Sequence, residues 1–364
     1  MSSTHKNRVS GFTLIELLVA VGLLAIVFVG ILNMLDTSTT VSKVEGALAD
    51  TQENVRFAAY HIMRTVRMTG GGEMPFARDD GTWVCGRLLN NETGAVTTDL
   101  GTVQVAPGSD VLTLRGFYEA PPFFTNRFDV RPDLGKITIR ERRQKGDASS
   151  DVINPLAGVD PNSLVGRGVV FMGRREYAVG KVTTAAFNGE ADPDRQLEIY
   201  YDGGDGPWPS LNPTGAALSG SEPAFTVYRV GIINSFTYFV APDNTLMRQR
   251  ADSSGSRLEP VAVNIGSLQV VFGVDTTGDG MIDTWSSTAT AAQAAAGMVG
   301  AMRITVLGRT PFDVRDLSGA GSGWQEPVAT FQIEGDPALS ATLFNRGAKW
   351  RRMDVTAGLR NFTL

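Results

Sequence analysis

The strongest constraint on the fold of this chain is one long apolar run near its N-terminus. The 24 residues from Phe12 to Leu35 read FTLIELLVAVGLLAIVFVGILNML and contain a single charged side chain, Glu16. As a helix they would extend about 36 Å at ~1.5 Å per residue, enough to cross a hydrocarbon core of ~30 Å. Lys6 and Arg8 precede the run and favour a cytoplasmic N-terminus. The run therefore predicts a membrane helix that carries an extracytoplasmic body.

Two residues distinguish this run from an ordinary secretory signal. No A-x-A-like cleavage site follows it, whereas Gly11 lies at the junction before it, where cleavage would leave the whole helix attached. Glu16 lies inside the run, and a carboxylate in a membrane helix is costly, so it indicates a function that involves a partner. A plain membrane tether, which predicts no leader cleavage, is the alternative at this point.

The segment GFTLIELLVA, residues 11–20, resembles the prepilin signature of type IV pilins and type II secretion pseudopilins. The likeness covers the junction, the aromatic residue after it and the acid four positions later. It implies that a prepilin peptidase cuts between Gly11 and Phe12, releases the leader 1–11, and that the Phe12 amine is then methylated. It also implies that Glu16 pairs with the Phe12 amine of a neighbouring subunit, where two opposite charges desolvated together offset each other's cost.

Beyond Leu35 the pattern predicts that the helix continues as an amphipathic segment. One helix is expected over 12–69, with a transmembrane and assembly segment over 12–35, because the glycines at 70–72 end the pattern. We expect the apolar stripe to pack on the head, with a coiled coil to another subunit as the alternative. The stripe recurs at steps of three, four or seven residues and consists of Val41, Val44, Leu48, Val55, Ala59, Ile62 and Val66.

From residue 75 to 364 the sequence predicts a β-rich head, so that the whole chain is α+β. Short β-prone runs alternate with turns rich in Gly, Pro, Asp and Asn. A long loop or a boundary between two lobes is expected near 202–223, another loop over 147–163, and a short helix over Ala291–Ala296. The expected strands are Trp83–Leu89, Val111–Tyr118, Lys136–Arg142, Gly168–Phe171, Gln196–Tyr201, Ala224–Tyr228, Ile232–Val240, Thr245–Arg250, Ser267–Val274, Met302–Leu307 and Trp350–Val355.

Charge composition argues against nucleic acid as a partner. The chain has 33 basic and 38 acidic residues and a net charge of −5, whereas phosphate binding normally needs a concentrated basic face. The run Lys136–Lys145 is basic, but Ile137 and Ile139 alternate with polar residues, as in a half-buried edge strand with one solvated face. The basic residues near the C-terminus, Lys349, Arg351 and Arg352, likewise do not indicate nucleic acid binding.

The counts of cysteine and histidine restrict the chemistry further. Cys85 is the only cysteine, so no intrachain disulfide forms, and we expect it to be a small buried apolar residue. His5 lies in the leader, which leaves His61 as the one histidine of the mature chain. A histidine zinc site or a Ser-His hydrolase is therefore not expected, and the chain is interpreted as a protein without enzymatic activity.

One motif in the head has the composition of a metal site. Oxygen donors at alternate positions around a glycine turn can converge on calcium, and the candidates here are Asp275, Thr277, Asp279, the Met281 carbonyl and Asp283. The motif departs from an EF-hand loop, because its third position is Thr and its twelfth, Ser286, cannot act as a bidentate carboxylate. The alternative is a hairpin turn that needs Asp-Gly for its backbone angles, with no cofactor.

The C-terminal half is similar to PilW-type minor pilins, and shares parts of its pattern with the related pseudopilin GspJ. The likeness rests on segments around Leu268–Val270, Met302–Leu307, Arg351–Met353 and Leu359–Asn361. It implies a pilin-like head that associates with other minor pilins and the major pilin, primes filament assembly and stays near the tip. A PilY-type tip adhesin is an expected partner.

The same likeness implies a location. The chain is expected in the bacterial inner membrane with its head in the periplasm, and then in the pilus at the cell surface. The alternatives are a minor pseudopilin of a type II secretion system and, from other classes, a membrane-tethered calcium-dependent adhesin or a tethered enzyme.

Overall fold

The structure is a computed structural model that describes most of the chain after its first twelve residues. Within the described residues the protein consists of one long helix, a short helix and a head of antiparallel strands. The described residues are 13–70, 74–78, 80–118, 123–124, 128–131, 134–140, 159–174, 176–188, 196–203, 208, 211–212, 218–219, 222–223, 225–252, 255–311, 348 and 350–359.

The long helix, α1, runs from Leu14 to Arg67. Its first half is apolar on all sides and long enough to cross a membrane, and none of its most apolar 18-residue stretch is buried against the head. Arg67 in the last turn complements the partial negative charge of the helix C-terminus, and Gly70 follows with a φ of 77° that favours glycine. The long N-terminal helix expected from the sequence is therefore observed.

Seventeen strands are present in the described part of the head, together with a 3-10 turn over Pro161–Leu164 and a short helix α2 over Ala291–Ala295. The strands are β1 Gly86–Thr98, β2 Gly101–Gly116, β3 Phe123–Phe124, β4 Phe128–Arg131, β5 Lys136–Arg140, β6 Gly168–Met172, β7 Tyr177–Asn188, β8 Gln196–Asp202, β9 Leu218–Ser219, β10 Glu222–Pro223, β11 Arg229–Val240, β12 Leu246–Asp252, β13 Gly255–Ala262, β14 Ile265–Val274, β15 Thr284–Ser286, β16 Val299–Arg309 and β17 Trp350–Gly358.

These strands form two main sheets. The large sheet has the order β1-β2-β11-β6-β7-β8-β5-β4, and β3 and β12 also pair with β11, while β13 pairs with β12. The smaller sheet has the order β15-β14-β16-β17, and β9 and β10 make a separate hairpin. Because β11 pairs with β2 and β6, the large sheet joins strands from both sides of residues 202–223.

The second half of α1 packs on the smaller sheet, where a glycine allows close approach. A Cβ atom at Gly308 in β16 would lie 2.2 Å from Val55 Cγ2 and 2.8 Å from Thr51 Cγ2, so a larger residue would push the helix away. Val41, at the start of the predicted stripe, is 48% exposed, because burial on the head begins only at Thr51. The buried residues of α1 are Thr51, Val55, Ala58, Ala59, Ile62, Thr65 and Val66.

The basic strand around Ile137 is not an edge strand, contrary to the prediction. β5 pairs with β4 on one side and with β8 on the other, and Ile137 and Ile139 are fully buried. The edge position is taken by β4, whose four residues are too few to predict as a strand from periodicity. Lys136 Nζ lies 2.6 Å from a carboxylate oxygen of Glu198, which partners its charge. Residues 141–145 of the basic run lie outside the described residues.

One further prediction about the head is wrong. Phe225–Tyr228, the described part of the strand expected at 224–228, is not in a strand, and β11 begins at Arg229 instead. The expected loop near 202–223 contributes to the core, since Trp208 is buried and its indole N–H donates to the Gly166 carbonyl at 3.1 Å.

Candidate assembly site

The structure describes the predicted assembly residue, Glu16, but not the two residues of the predicted processing site. Gly11 and Phe12 lie outside the described residues, so cleavage and methylation stay predictions. Glu16 lies in the first turn of α1, where its Oε2 accepts hydrogen bonds from the Thr13 backbone N–H at 2.9 Å and the Thr13 hydroxyl at 2.8 Å. The Glu16 N–H donates in return to Thr13 Oγ1 at 3.3 Å. This reciprocal capping box stabilises the start of the helix.

The capping box also fixes where the Glu16 carboxylate can act. It directs the carboxylate toward the helix N-terminus, where the helix dipole favours negative charge. No described residue donates to the second oxygen, Oε1, which is left for a cation brought by another molecule. The geometry is therefore compatible with the predicted pairing to a neighbouring Phe12 amine, and the pairing itself stays a prediction.

The apolar half of α1 needs an environment that the protein itself does not supply. Its large apolar side chains from Leu14 to Leu35 are between 49% and 78% exposed. Soluble monomers rarely leave so large a contiguous apolar surface open, and such a surface marks a membrane or protein contact. A lipid bilayer or the helices of other subunits can cover it.

At the other end of α1, His61 lies half-buried between the helix and the large sheet. Its Nδ1 is 3.2 Å from the hydroxyl of Tyr238 in β11, and that hydroxyl lies 2.8 Å from Thr65 Oγ1. Burial lowers the pKa of His61, the nearby Arg248 and Arg64 guanidinium groups lower it further, and the Glu259 carboxylate opposes them. The contacts give His61 a role in packing α1 on the head.

The predicted calcium turn is folded around its own backbone amides. Asp275 accepts hydrogen bonds from the N–H groups of Thr277, Gly278 and Gly280, at 3.1, 2.6 and 2.7 Å. Burial raises the pKa of Asp275, but these hydrogen bonds outweigh it and the net pKa is lowered. Asp283 Oδ2 accepts from the Thr276 hydroxyl and amide, both at 2.8 Å, and these bonds lower its pKa.

The turn is also held by a hydrogen bond of Asp279 and by the conformation of two glycines. Asp279 accepts from the Met281 N–H at 2.8 Å, and Gly278 and Gly280 both have a positive φ, as a tight turn requires. Among the described residues, no group of three or more His, Cys, Asp or Glu side chains is arranged to hold a metal ion. Calcium binding by the five predicted ligands stays a prediction.

The single cysteine, Cys85, lies in the core of the head. Cys85 is fully buried, as predicted, and burial raises the pKa of its thiol to about 12, so that it stays protonated.

Arg56, Arg351 and Arg352 line a cavity of about 460 Å³ between α1 and β17, which sequence reasoning missed. The signal for it was the basic pair at 351–352, but only the fold brings this pair beside Arg56.

Comparisons with known proteins agree with the helix and the C-terminal half of the head. Residues 6–32 match the prokaryotic N-terminal methylation motif, and residues 235–361 match the type IV pilus-assembly protein W family, PilW. These two matches support a likeness of the chain to type IV pilin-like proteins of the PilW type. The resemblance stated from the sequence is thereby confirmed, and all four C-terminal segments that carried it lie within the PilW match.

The comparisons with solved structures and with curated sequences do not extend this result. A type IV-like pilin from Thermus thermophilus aligns with 56% of this chain and 90% of its own length, at 12% identity and a TM-score of 0.23. No curated protein sequence matches the chain. The N-methylation motif and the apolar helix fit a membrane-anchored pilin-like protein.

Proposed function

We propose that this chain is a minor pilin that helps to prime pilus assembly and stays at or near the pilus tip. The observation that carries the proposal is the exposed apolar half of α1, which begins with an N-methylation motif and continues into a PilW-type head. Such a helix can leave the bilayer only if other helices replace the lipid around it. Pilin-like proteins act structurally, and association of subunits accounts for the role without catalysis.

The proposal includes a path and a set of partners. A prepilin peptidase cuts between Gly11 and Phe12, and the mature chain waits in the inner membrane with its head in the periplasm. Other minor pilins and the major pilin then pack around α1, and a PilY-type adhesin is a candidate partner at the tip. The charge asymmetry around the apolar run and the N-methylation motif support this path.

Mass spectrometry of the protein extracted from membranes tests the class. We expect a mature N-terminus at methylated Phe12, whereas an intact Met1 terminus would contradict processing. Co-purification then separates the two filament systems. Recovery with minor pilins supports the pilus role, and recovery only with secretion pseudopilins favours a GspJ-like protein.

A further inference from the structure

A cavity between α1 and β17 carries an excess of positive charge. Arg56, Arg351 and Arg352 line it together with one acid, Glu53, so three guanidinium groups face one carboxylate. Arg352 pairs with Asp354, with Nε 2.8 Å from Oδ2. Arg56 and Arg351 are exposed, and neither forms an ion pair with a described residue. Two of the three charges are therefore available to a partner.

The floor of the cavity is apolar. Ala49 and Val55 of α1 and Met353 of β17 contribute to its lining, and its volume of about 460 Å³ has room for one or two large side chains. β17 pairs with β16 on one side and with no described strand on the other. A ligand that combines an apolar side chain with a carboxylate matches this lining.

Exposed charges along the extramembrane part of α1 are divided by sign. Asp36, Glu45, Asp50 and Glu53 lie nearer the membrane, interrupted only by Lys43, whereas Arg56, Arg64 and Arg67 lie farther from it. All eight side chains are exposed, and none forms an ion pair with a described residue. The helix therefore presents an acidic segment below a basic one.

This division favours one arrangement of neighbouring helices. Two subunits that are anchored in the same membrane and share this division of charge hold their helices parallel, and at equal height they place acid beside acid and arginine beside arginine. If the neighbour is displaced away from the membrane, its acidic segment comes level with the arginine cavity. To bring Asp50 or Glu45 level with Arg56, the displacement is six to eleven residues, about 9–17 Å at ~1.5 Å per residue.

We propose that the α1–β17 cavity is an intersubunit site for the acidic juxtamembrane helix segment of a neighbouring subunit, held parallel and displaced outward by about 9–17 Å. Charge complementarity identifies the occupant, and the apolar floor takes a side chain next to its carboxylate. The proposal rests on the proposed function, since it requires that subunits assemble. It goes further by assigning a surface and the kind of segment that fits it.

The membrane itself is too far away to be the occupant. Ala49, the lining residue nearest to the apolar run, lies 14 positions after Leu35, which corresponds to about 21 Å of helix at ~1.5 Å per residue. Attraction to lipid phosphates is screened over ~8–10 Å at physiological salt. The anionic partner is therefore a protein segment at the same height.

Zero-length coupling in assembled pili tests the proposal. Arg56→Lys and Arg351→Lys keep the charge and add an amine that a carbodiimide joins to a carboxylate in direct contact. The full-length variants are expressed with the complete set of pilus subunits, and coupled peptides are identified by mass spectrometry in purified pili. Arg257→Lys is the positive control for the chemistry, because Arg257 Nε lies 3.5 Å from Glu259 Oε1 in the same chain.

We expect both cavity variants to couple to an acid in the helix of another subunit, between its apolar run and its head. Coupling only to Glu53 of the same chain, coupling to acids in another head, or no coupling while Arg257→Lys reacts would overturn the inference. Detection of the protein in pili is a separate readout. Absence from pili contradicts the proposed function as well, whereas presence without the expected coupling contradicts this inference alone.

Charge reversal provides a second measurement. Arg56→Glu with Arg351→Glu should reduce the amount of the protein in pili by about tenfold, because like charges across an interface are strongly unfavourable. Both side chains are exposed, so the melting temperature should not change. An unchanged amount in pili would overturn the inference.

Discussion

Glu16 and Thr13 together form the start of the membrane helix in a single subunit. Two hydrogen bonds from Thr13 reach one carboxylate oxygen, and the helix N-terminus adds its dipole. In an unassembled subunit, one oxygen of the Glu16 carboxylate is therefore already hydrogen-bonded before any partner binds. This arrangement separates two roles of the carboxylate, capping its own helix and pairing with a neighbour.

Substitution of Glu16 separates processing from assembly. Glu16→Ala should leave leader cleavage largely intact, since the peptidase site precedes the helix, but should greatly reduce incorporation into pili. Immunoblots of membranes and of sheared pili measure the two steps. Thr13→Ser is the matched control, because it retains a hydroxyl for the capping box and should assemble normally. Normal incorporation of Glu16→Ala would contradict the assembly role.

His61 gives the head a defined dependence on pH. Its folded-state pKa lies below the ordinary value of 6.5, so the unfolded chain binds its proton more readily. The stability contribution of neutral His61 is thus present above pH 6.5 and is lost as the pH falls through the lowered folded-state pKa. We expect the melting temperature of the detergent-solubilised mature protein to fall as the pH is lowered below 6.5.

The corresponding control removes the titrating group. His61→Gln keeps a polar side chain beside Tyr238 and should have a nearly constant melting temperature over the first pH unit below 6.5. Because His61 is the only histidine after the leader, no second imidazole confuses the comparison. If the melting temperature fell equally with pH in the unmodified protein and in His61→Gln, the pH dependence would not come from His61.

At the scale of elements, the contact between α1 and β16 depends on one glycine. Gly308→Ala should destabilise the head by about 1–3 kcal/mol, because its Cβ would overlap Val55 and Thr51 and push the helix off the sheet. Gly358→Ala in the neighbouring strand β17 is the control, since no atom lies within 4 Å of its Cβ position. Denaturant unfolding measures both variants. Equal stabilities would mean that α1 adjusts freely on the sheet.

The turn between β14 and β15 can be tested as an element with and without calcium. Asp275→Ala should lower the melting temperature by several degrees in the presence of a chelator, because three backbone amides lose their acceptor. Asp279→Ala, which removes one exposed hydrogen bond, should have a smaller effect. The same assay in millimolar calcium decides the predicted site. A rise in melting temperature with calcium that Asp279→Ala abolishes supports calcium binding. An unchanged melting temperature supports a hairpin turn without a metal.

At the scale of the whole molecule, the head is organised around β11. This strand pairs with β2, β3, β6 and β12, so it joins early and late parts of the chain in one sheet, while α1 packs mainly on the smaller sheet. Helix and head therefore form one folded unit whose far half-helix is left exposed for other contacts. A subunit built in this way supplies anchoring and association from the same helix.

The sequence by itself determined the features that depend on neighbouring residues. The length of the apolar run, the basic residues before it and Glu16 inside it are local, and they sufficed for the helix and for the prepilin-like resemblance. Many strands were also predicted, because alternation and turn residues act over a few positions. β7 and β13 were missed, since their mixed polar patterns become strands only through pairing with β6, β8 and β12.

Only the tertiary structure decided which residues meet across long stretches of chain. Periodicity cannot show that β5 is covered by the short strand β4, that Trp208 fills the core, or that Gly308 receives the helix. It also cannot bring Arg56 beside Arg351, almost 300 positions away, because that contact depends on α1 and β17 packing side by side. The anchoring helix can therefore be predicted from the local sequence pattern, whereas the cavity beside it results from the fold.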